Sequence, residues 1–294
     1  MYNFTVIIPH KNIPTLLQRC INSIPQRNDL HLIIVDDNSD PNIVDFNDFP
    51  GKNRDNTTII FNKDGLGAGH ARNIGLDAIE NSKWVFFADS DDFFTPYLNI
   101  ALDKYKDAIE DLIFFRYNSV YSDTLKPSTR NKRVDDRILN AIKNNEFDII
   151  RYKIQVPYCK LIKYKNIVDN NIRFDETMYS NDVMFGLKIG HVSDTIKMDE
   201  NIFYTQTERL GSLVKIVKKE SIDCRYAVAI NANEYLKKIN KQNYHTNLFS
   251  FCYKYAKINI LLSIKCFFKS LKYTHFKFWY RDLSMCFKYF LNKE

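Results

Sequence analysis

Four apolar runs divide the first ninety residues, and three of them stop at polar clusters. Phe4–Ile8 ends at Pro9-His10-Lys11-Asn12, Leu30–Val35 at Asp36-Asp37-Asn38-Ser39, and Trp84–Ala88 at Asp89-Ser90-Asp91-Asp92. The remaining run, Thr57–Phe61, leads to the glycine loop Gly65–Gly69. Short apolar runs of this kind read as strands buried on both faces. Between them the pattern is helical. Asn12 stands as an N-cap before Ile13-Pro14, with apolar residues at Leu16, Leu17, Ile21 and Ile24. Ala71–Ile79 reads as the helix after the glycine loop, and Thr95-Pro96 opens another. Strand–helix alternation predicts an α/β chain with a mostly parallel sheet flanked by helices. Ligands of such sheets lie outside the carboxyl ends of the strands, so the three polar clusters should converge on one crevice.

The pattern weakens from Arg116 to Gln155 and becomes helical, basic and aromatic from Lys215 onward. This predicts an α/β domain over residues 1–215 and a helical C-terminal region over 216–294. The charge follows the same division. The net charge is +7, whereas residues 241–294 hold ten Lys/Arg and two Asp/Glu, a net of +8, which leaves about −1 for the rest. The six cysteines form no C-x-x-C pair and are widely scattered, which fits reduced cytosolic thiols. The N-terminus lacks the features of a signal peptide, and no apolar stretch approaches the roughly 20 residues of a membrane span. The expected location is cytoplasmic.

Asp89, Asp91 and Asp92 at one strand end repel each other unless a cation joins them. Hard carboxylate oxygens suit Mg²⁺ or Mn²⁺, which would also hold a diphosphate. The competing reading is that Asp91 or Asp92 caps the helix near Thr95. A carboxylate of Asp36-Asp37 can accept from a nucleobase imide, or the pair can form an Asx turn. Arg72, in the helix after the glycine loop, can pair with phosphate. The loop itself is not a dinucleotide fingerprint, because His70 stands where G-x-G-x-x-G needs its third glycine. Asp182 opens a helix with Phe185 and Ile189 on its apolar face. It can take a proton from a hydroxyl, or simply cap.

Together these segments resemble the family 2 glycosyltransferases, with their Rossmann-like GT-A fold. The resemblance rests on Val6–Asn12, on Val35-Asp36-Asp37-Asn38-Ser39, on Gly69–Gly75 with Ala71-Arg72-Asn73, and on the D-x-D segment Ala88–Asp92. Tyr158–Leu161, Arg173-Phe174 and Asn181-Asp182 resemble the acceptor-side block, with Asn181 where the family usually has Glu. Gln206–Leu213, with Arg209 and Ser212, resembles the loop over the donor. The resemblance implies inverting transfer of a sugar from a nucleotide-diphospho-sugar, a UDP-sugar by preference, to a hydroxyl of a glycan or glycolipid. Bacterial surface polysaccharide or lipopolysaccharide is the implied product. Asp182 would be the base and Asp89 and Asp91 the Mn²⁺ or Mg²⁺ ligands. Pro9, Asp36, Asp37, Arg72, Asp89 and Ser90 would hold the donor nucleotide. His10, Lys160, Asn181 and Arg209 would be further donor or acceptor contacts. His70 is a donor contact at most, and His191 reads as a helix-end or core histidine.

The stretch Tyr244–Phe290, with Lys265–Lys269 and Phe276–Arg281, mixes basic and aromatic residues. It suits a helix at a membrane surface, or a helical subdomain with a solvated basic face. A membrane role places the chain at the inner face of the cytoplasmic membrane. Nucleic-acid binding is not expected, because the basic residues avoid the crevice segments. A nucleotidyltransferase is the alternative enzyme, but the glycine-free Pro9-His10-Lys11-Asn12 lacks its basic loop. A non-catalytic nucleotide-sugar-binding or membrane-docking subunit is the alternative of another class.

Overall fold

The computed structural model describes residues 2–209 and 218–291, from 286 onward by backbone alone. The chain divides into two compact units, Met1–Thr177 with Asn181–Leu210, and Met178–Ser180 with Gly211–Glu294. Ser212 and the expected boundary at 215–216 lie outside the described residues.

The first unit opens with β1 (Tyr2–His10), α1 (Pro14–Asn22), β2 (Leu30–Asp37), β3 (Thr57–Asn62), α2 (Ala68–Asp77) and β4 (Ser82–Phe87). β1 pairs in parallel with β2 and β4, and β2 with β3. Alternate residues of the strands feed two cores. Phe4, Val6, Ile8, Trp84 and Phe86 lie in one, and Ile7, Ile33, Val35, Val85 and Phe87 in the other. Burial on both faces explains why these strands read as continuous apolar runs. Each fully buried Ile or Phe contributes roughly 1.5–3 kcal/mol.

The chain continues through β5 (Phe93–Phe94), α3 (Tyr97–Tyr105), β6 (Leu112–Tyr121), α4 (Lys132–Lys143), α5 (Phe147–Lys153), β7 (Lys160–Lys163), α6 (Tyr164–Asp169), α7 (Val183–Val192) and β8 (Ile196–Glu208). The sheet order is β3-β2-β1-β4-β7-β6-β8-β5. β6 and β8 are parallel, whereas β7 joins β4 and β6 antiparallel and β5 joins β8 antiparallel. The sheet is thus a parallel half continued by a mixed half, flanked by helices.

Two local expectations are corrected. Asn12 does not cap α1. Its φ is 58°, Ile13 is the residue before the helix, and the Asn12 amide oxygen instead accepts from Asp40 N at 2.7 Å. An asparagine tolerates this left-handed conformation better than most residues. Nor does Asp91 or Asp92 cap α3, because β5 intervenes and Pro96 precedes the helix.

Glycines bring α7 against α5. A β-carbon at Gly186 would stand 2.3 Å from Gln155 O, and one at Gly190 would stand 2.4 Å from Arg151 O. Arg151 then donates to the carbonyls of Gly190, Ser193 and Asp194, covering the C-terminus of α7.

The second unit contains α8 (Lys219–Lys238), α9 (Ser250–Ala256), α10 (Ile260–Tyr273) and α11 (Trp279–Leu291). Its own core gathers Ile222, Tyr226, Leu248, Phe249, Phe251 and Tyr255. Among the described residues no helix is long and apolar enough to cross a membrane.

Candidate active site

The site is built at the carboxyl ends of β1, β2 and β4. Register places His10 beside Asp36. Both are buried, and His10 Nδ1 lies 2.8 Å from Asp36 Oδ1. His10 Nε2 accepts from Ile13 N at 3.1 Å, so the proton sits on Nδ1 and is donated to Asp36. Asp36 also accepts from Ser39 N and Oγ. Burial pushes this carboxyl up, but the hydrogen bonds from His10 and Ser39 outweigh it and hold it below the ordinary range. Asp36 and His10 are therefore engaged within the protein. Pro9 is buried just before them.

Asp37 faces the other way. Its Oδ2 accepts from Gly67 N at 2.9 Å, Asn62 Nδ2 approaches Oδ1 at 3.4 Å, and Lys11 Nζ lies 3.7 Å from Oδ2. It thus ties the end of β2 to the glycine loop that opens α2.

The acidic cluster after β4 is held by groups distant in sequence. Tyr204, from β8, accepts from Asp89 N at 2.9 Å and donates to Asp92 Oδ2 at 3.0 Å. Thr207 N donates to Asp92 Oδ1 at 2.6 Å. Asp92 is fully buried, and burial followed by repulsion from Asp91 and Asp89 drives its pKa well above the carboxylate range. Ser90 is buried alongside. Asp91 is gripped by two arginines: Arg19 donates to its carbonyl at 2.6 Å, and Arg209 Nε to its Oδ2 at 2.8 Å.

Arg72 joins this cluster to the segment around Phe174 and Asn181. It is buried in α2, donates through Nη2 to Asp89 Oδ1 at 2.5 Å and through Nη1 to Asn181 Oδ1 at 2.9 Å, and lies over the Phe174 ring. Asn73 makes reciprocal bonds with the Phe174 backbone. A β-carbon at Gly69 would stand 2.2 Å from Asp175 O, so only glycine permits this approach of α2 to the Asp175 segment.

Asp182 stands at the N-cap position of α7, above buried Phe185 and Ile189, and its carboxylate caps no backbone amide there. Burial raises its pKa, Arg72 pulls it down, and Asp89 pushes it up again. Lys160 adds a positive influence. It is buried, donates to Ile154 O at 2.8 Å, and burial lowers its pKa to about 8. The preceding residue, Cys159, has φ 56° although buried and non-glycine, a strained conformation of the kind held at functional sites. His70 lies between Glu176, 2.9 Å from Nδ1, and Asp64, 3.1 Å from Nε2, and its pKa rises chiefly through the bond to Glu176. His191 lies 3.4 Å from Tyr152 OH at the far end of α7.

The structure therefore brings Arg72, Asp89 and Asn181 together, with Asp182 next to Asn181, and Arg209 with Asp91. Arg19 and Tyr204 do much of the positioning without any local mark in the sequence, and Asn73 of the Ala71-Arg72-Asn73 segment joins them.

Among the described residues no group of three or more His, Cys, Asp or Glu side chains is placed to hold an ion alone. Mg²⁺-type ions commonly take one or two carboxylates and complete their shell with substrate phosphate and water. Asp89 and Asp91 fit that kind of donor set, each with one oxygen engaged by arginine.

Comparisons with known proteins agree with this geometry. The model of Glycosyl transferase family 2 matches residues 5–167. An uncharacterized glycosyltransferase of Haemophilus influenzae is 25% identical over 240 residues, 72% of this chain and 91% of that protein. The succinoglycan biosynthesis protein ExoW of Rhizobium meliloti is 37% identical over 101 residues, and the match spans 31% of its length. Among solved structures, S. aureus TarS 1-349 in complex with UDP-GlcNAc superposes with TM-score 0.59 at 22% identity, over 78% of this chain and 66% of that one. The mannosyltransferase PcManGT of Pyrobaculum calidifontis, in complex with GDP-Man and Mn²⁺, gives TM-score 0.55 at 13% identity, over 92% and 75%. The fold is GT-A, and with the family model matching more than half of its length, the chain belongs to Glycosyl transferase family 2.

Proposed function

We propose that this glycosyltransferase moves a sugar from a UDP-sugar to a hydroxyl of a glycan or glycolipid, with inversion at the anomeric carbon. The observation that carries the reading is Arg72, which bonds Asp89 and Asn181 at once and so sets the acidic cluster beside Asp182. Asp182 takes the proton of the acceptor hydroxyl as the oxygen bonds to the anomeric carbon, and the bond to the diphosphate breaks to release UDP. Burial raises its pKa, which makes it a stronger base than an ordinary carboxylate. Arg72 and Arg209 would meet diphosphate oxygens. Asp37, whose Oδ1 has the longer 3.4 Å contact with Asn62, reads the base rather than Asp36, both of whose oxygens accept from His10 or Ser39.

Asp89 and Asp91 would hold Mn²⁺ or Mg²⁺, which when bound offsets the charge growing on the leaving diphosphate. Support for a uridine donor comes from TarS, solved with UDP-GlcNAc, and support for a divalent ion from PcManGT, solved with Mn²⁺. The ExoW likeness supports a role in bacterial surface polysaccharide or lipopolysaccharide biosynthesis. We assign catalysis to residues 1–215 and place the chain peripherally at the inner face of the cytoplasmic membrane through 216–294.

The test is acceptor-dependent UDP release from UDP-glucose, UDP-galactose and UDP-N-acetylglucosamine with Mn²⁺ and a panel of glycan and glycolipid acceptors. Release from one of them, abolished in Asp182→Asn, is expected. Release only from GDP- or CMP-sugars, or none from any donor, would overturn the reading.

A further inference from the structure

Between Tyr235 and Leu291 the sequence holds eleven Lys/Arg and a single acidic residue, Asp282. Asp282 is fully buried, with His245 Nε2 at 2.6 Å from one oxygen and Arg281 Nε at 3.1 Å from the other. The stretch itself therefore contributes mainly positive charge to its surface, with Asp223 of α8 near enough to Lys269 to feel its charge.

Helix α10 concentrates the effect. Ser263, Cys266 and Ser270 face inward and are buried. On the opposite side Ile260, Leu261, Ile264 and Phe268 are 64%, 63%, 48% and 66% exposed. Their spacing stacks them in one stripe along three turns. Lys265, Lys269 and Lys272 line one flank of that stripe and are exposed, as is Lys257 just before the helix. An aliphatic and aromatic stripe of this size is costly to leave in water, and monomeric proteins seldom carry one without use.

We propose that this face of α10 docks on an anionic lipid surface. The helix would lie in the interface, its apolar stripe at the acyl boundary and its lysines extending to the headgroups. The charge complementarity names the partner: exposed lysines beside a continuous apolar stripe match an anionic bilayer, which offers negative headgroups above hydrocarbon. A nucleic acid would leave the aliphatic stripe exposed. The inference rests on the membrane placement proposed above and is independent of the donor sugar.

The full chain is sedimented with vesicles of phosphatidylcholine alone and of phosphatidylcholine with about 30% phosphatidylglycerol, a fraction chosen to mimic the anionic leaflet. Wild type is compared with Ile264→Glu/Phe268→Glu and with Lys265→Gln/Lys269→Gln, each checked for folding by circular dichroism. Expected is binding to the anionic vesicles, weakened by added salt, with each double variant at least about tenfold weaker. Wild type that ignores the vesicles overturns both the placement and the face. Variants that bind as well as wild type overturn the face alone. A dimer in analytical ultracentrifugation, dispersed by Ile264→Glu/Phe268→Glu, would reassign the stripe to a second copy and also overturn the proposal.

Discussion

Arg72 Nη2 lies 2.5 Å from Asp89 Oδ1, and the same guanidinium reaches Asn181 with its other terminal nitrogen. One planar fork thus spans a strand end and a segment more than ninety positions further on. Lysine cannot reproduce it, because a point charge on a flexible stem cannot hold both partners. Arg72→Lys should weaken UDP binding and slow transfer by roughly 10- to 100-fold, the loss expected for one or two charge-assisted hydrogen bonds. Calorimetry and initial rates read the two effects separately.

Asp182 makes no cap hydrogen bond to the helix it opens. Asp182→Asn should therefore leave folding and UDP affinity near wild type while the transfer rate falls about 10²- to 10⁴-fold, the usual worth of a general base. Steady-state kinetics with equilibrium titration of UDP separates these outcomes.

The pH profile follows from the neighbours of Asp182. Its raised pKa means that activity falls as pH drops, with an acid limb above the ordinary carboxylate range. Protonated Lys160 favours the charged carboxylate, so Lys160→Met should move that limb to still higher pH. Lys160 loses its proton near pH 8, and the difference between variant and wild type should narrow above that point. The rate–pH curves of both proteins check this.

Gly186 and Gly190 set the closeness of α5 and α7. Gly190→Ala forces its β-carbon against Arg151 O, a backbone atom that cannot swing aside. Overpacking of this kind costs about 1–3 kcal/mol, or roughly 2–4 °C in melting temperature per kcal/mol. Thermal denaturation measures it, and UDP binding by the surviving folded protein should change little.

The parallel half of the sheet was legible because its strands are apolar on both faces and stop at polar clusters. Phe4–Ile8, Leu30–Val35 and Thr57–Phe61 fall within observed strands, and Trp84–Ala88 runs one residue past the end of β4 at Phe87. The mixed half was not. β8 mixes buried and exposed positions irregularly along Ile196–Glu208, and β5 is two residues long, so their identity depends on pairing with β6 and with each other. The candidate site divides similarly. Acidic residues at strand ends announce themselves locally, whereas Tyr204 bridging Asp89 and Asp92, and Arg19 holding the Asp91 carbonyl, act across more than seventy positions. Nothing local in α1 or β8 marks them. Asn12 was misread because an asparagine before Ile-Pro carries the cap pattern, and the competing bond to Asp40 is visible only once β1 and β2 are paired.

The most direct test of the central claim is calorimetric titration of UDP, GDP and CMP, with and without Mn²⁺, into wild type and Asp91→Ala. The account predicts that UDP binds, that Mn²⁺ tightens it, and that Asp91→Ala abolishes the Mn²⁺ effect. A folded wild type that binds none of the three, or an Asp91→Ala variant that binds UDP with Mn²⁺ as tightly as wild type, would contradict it.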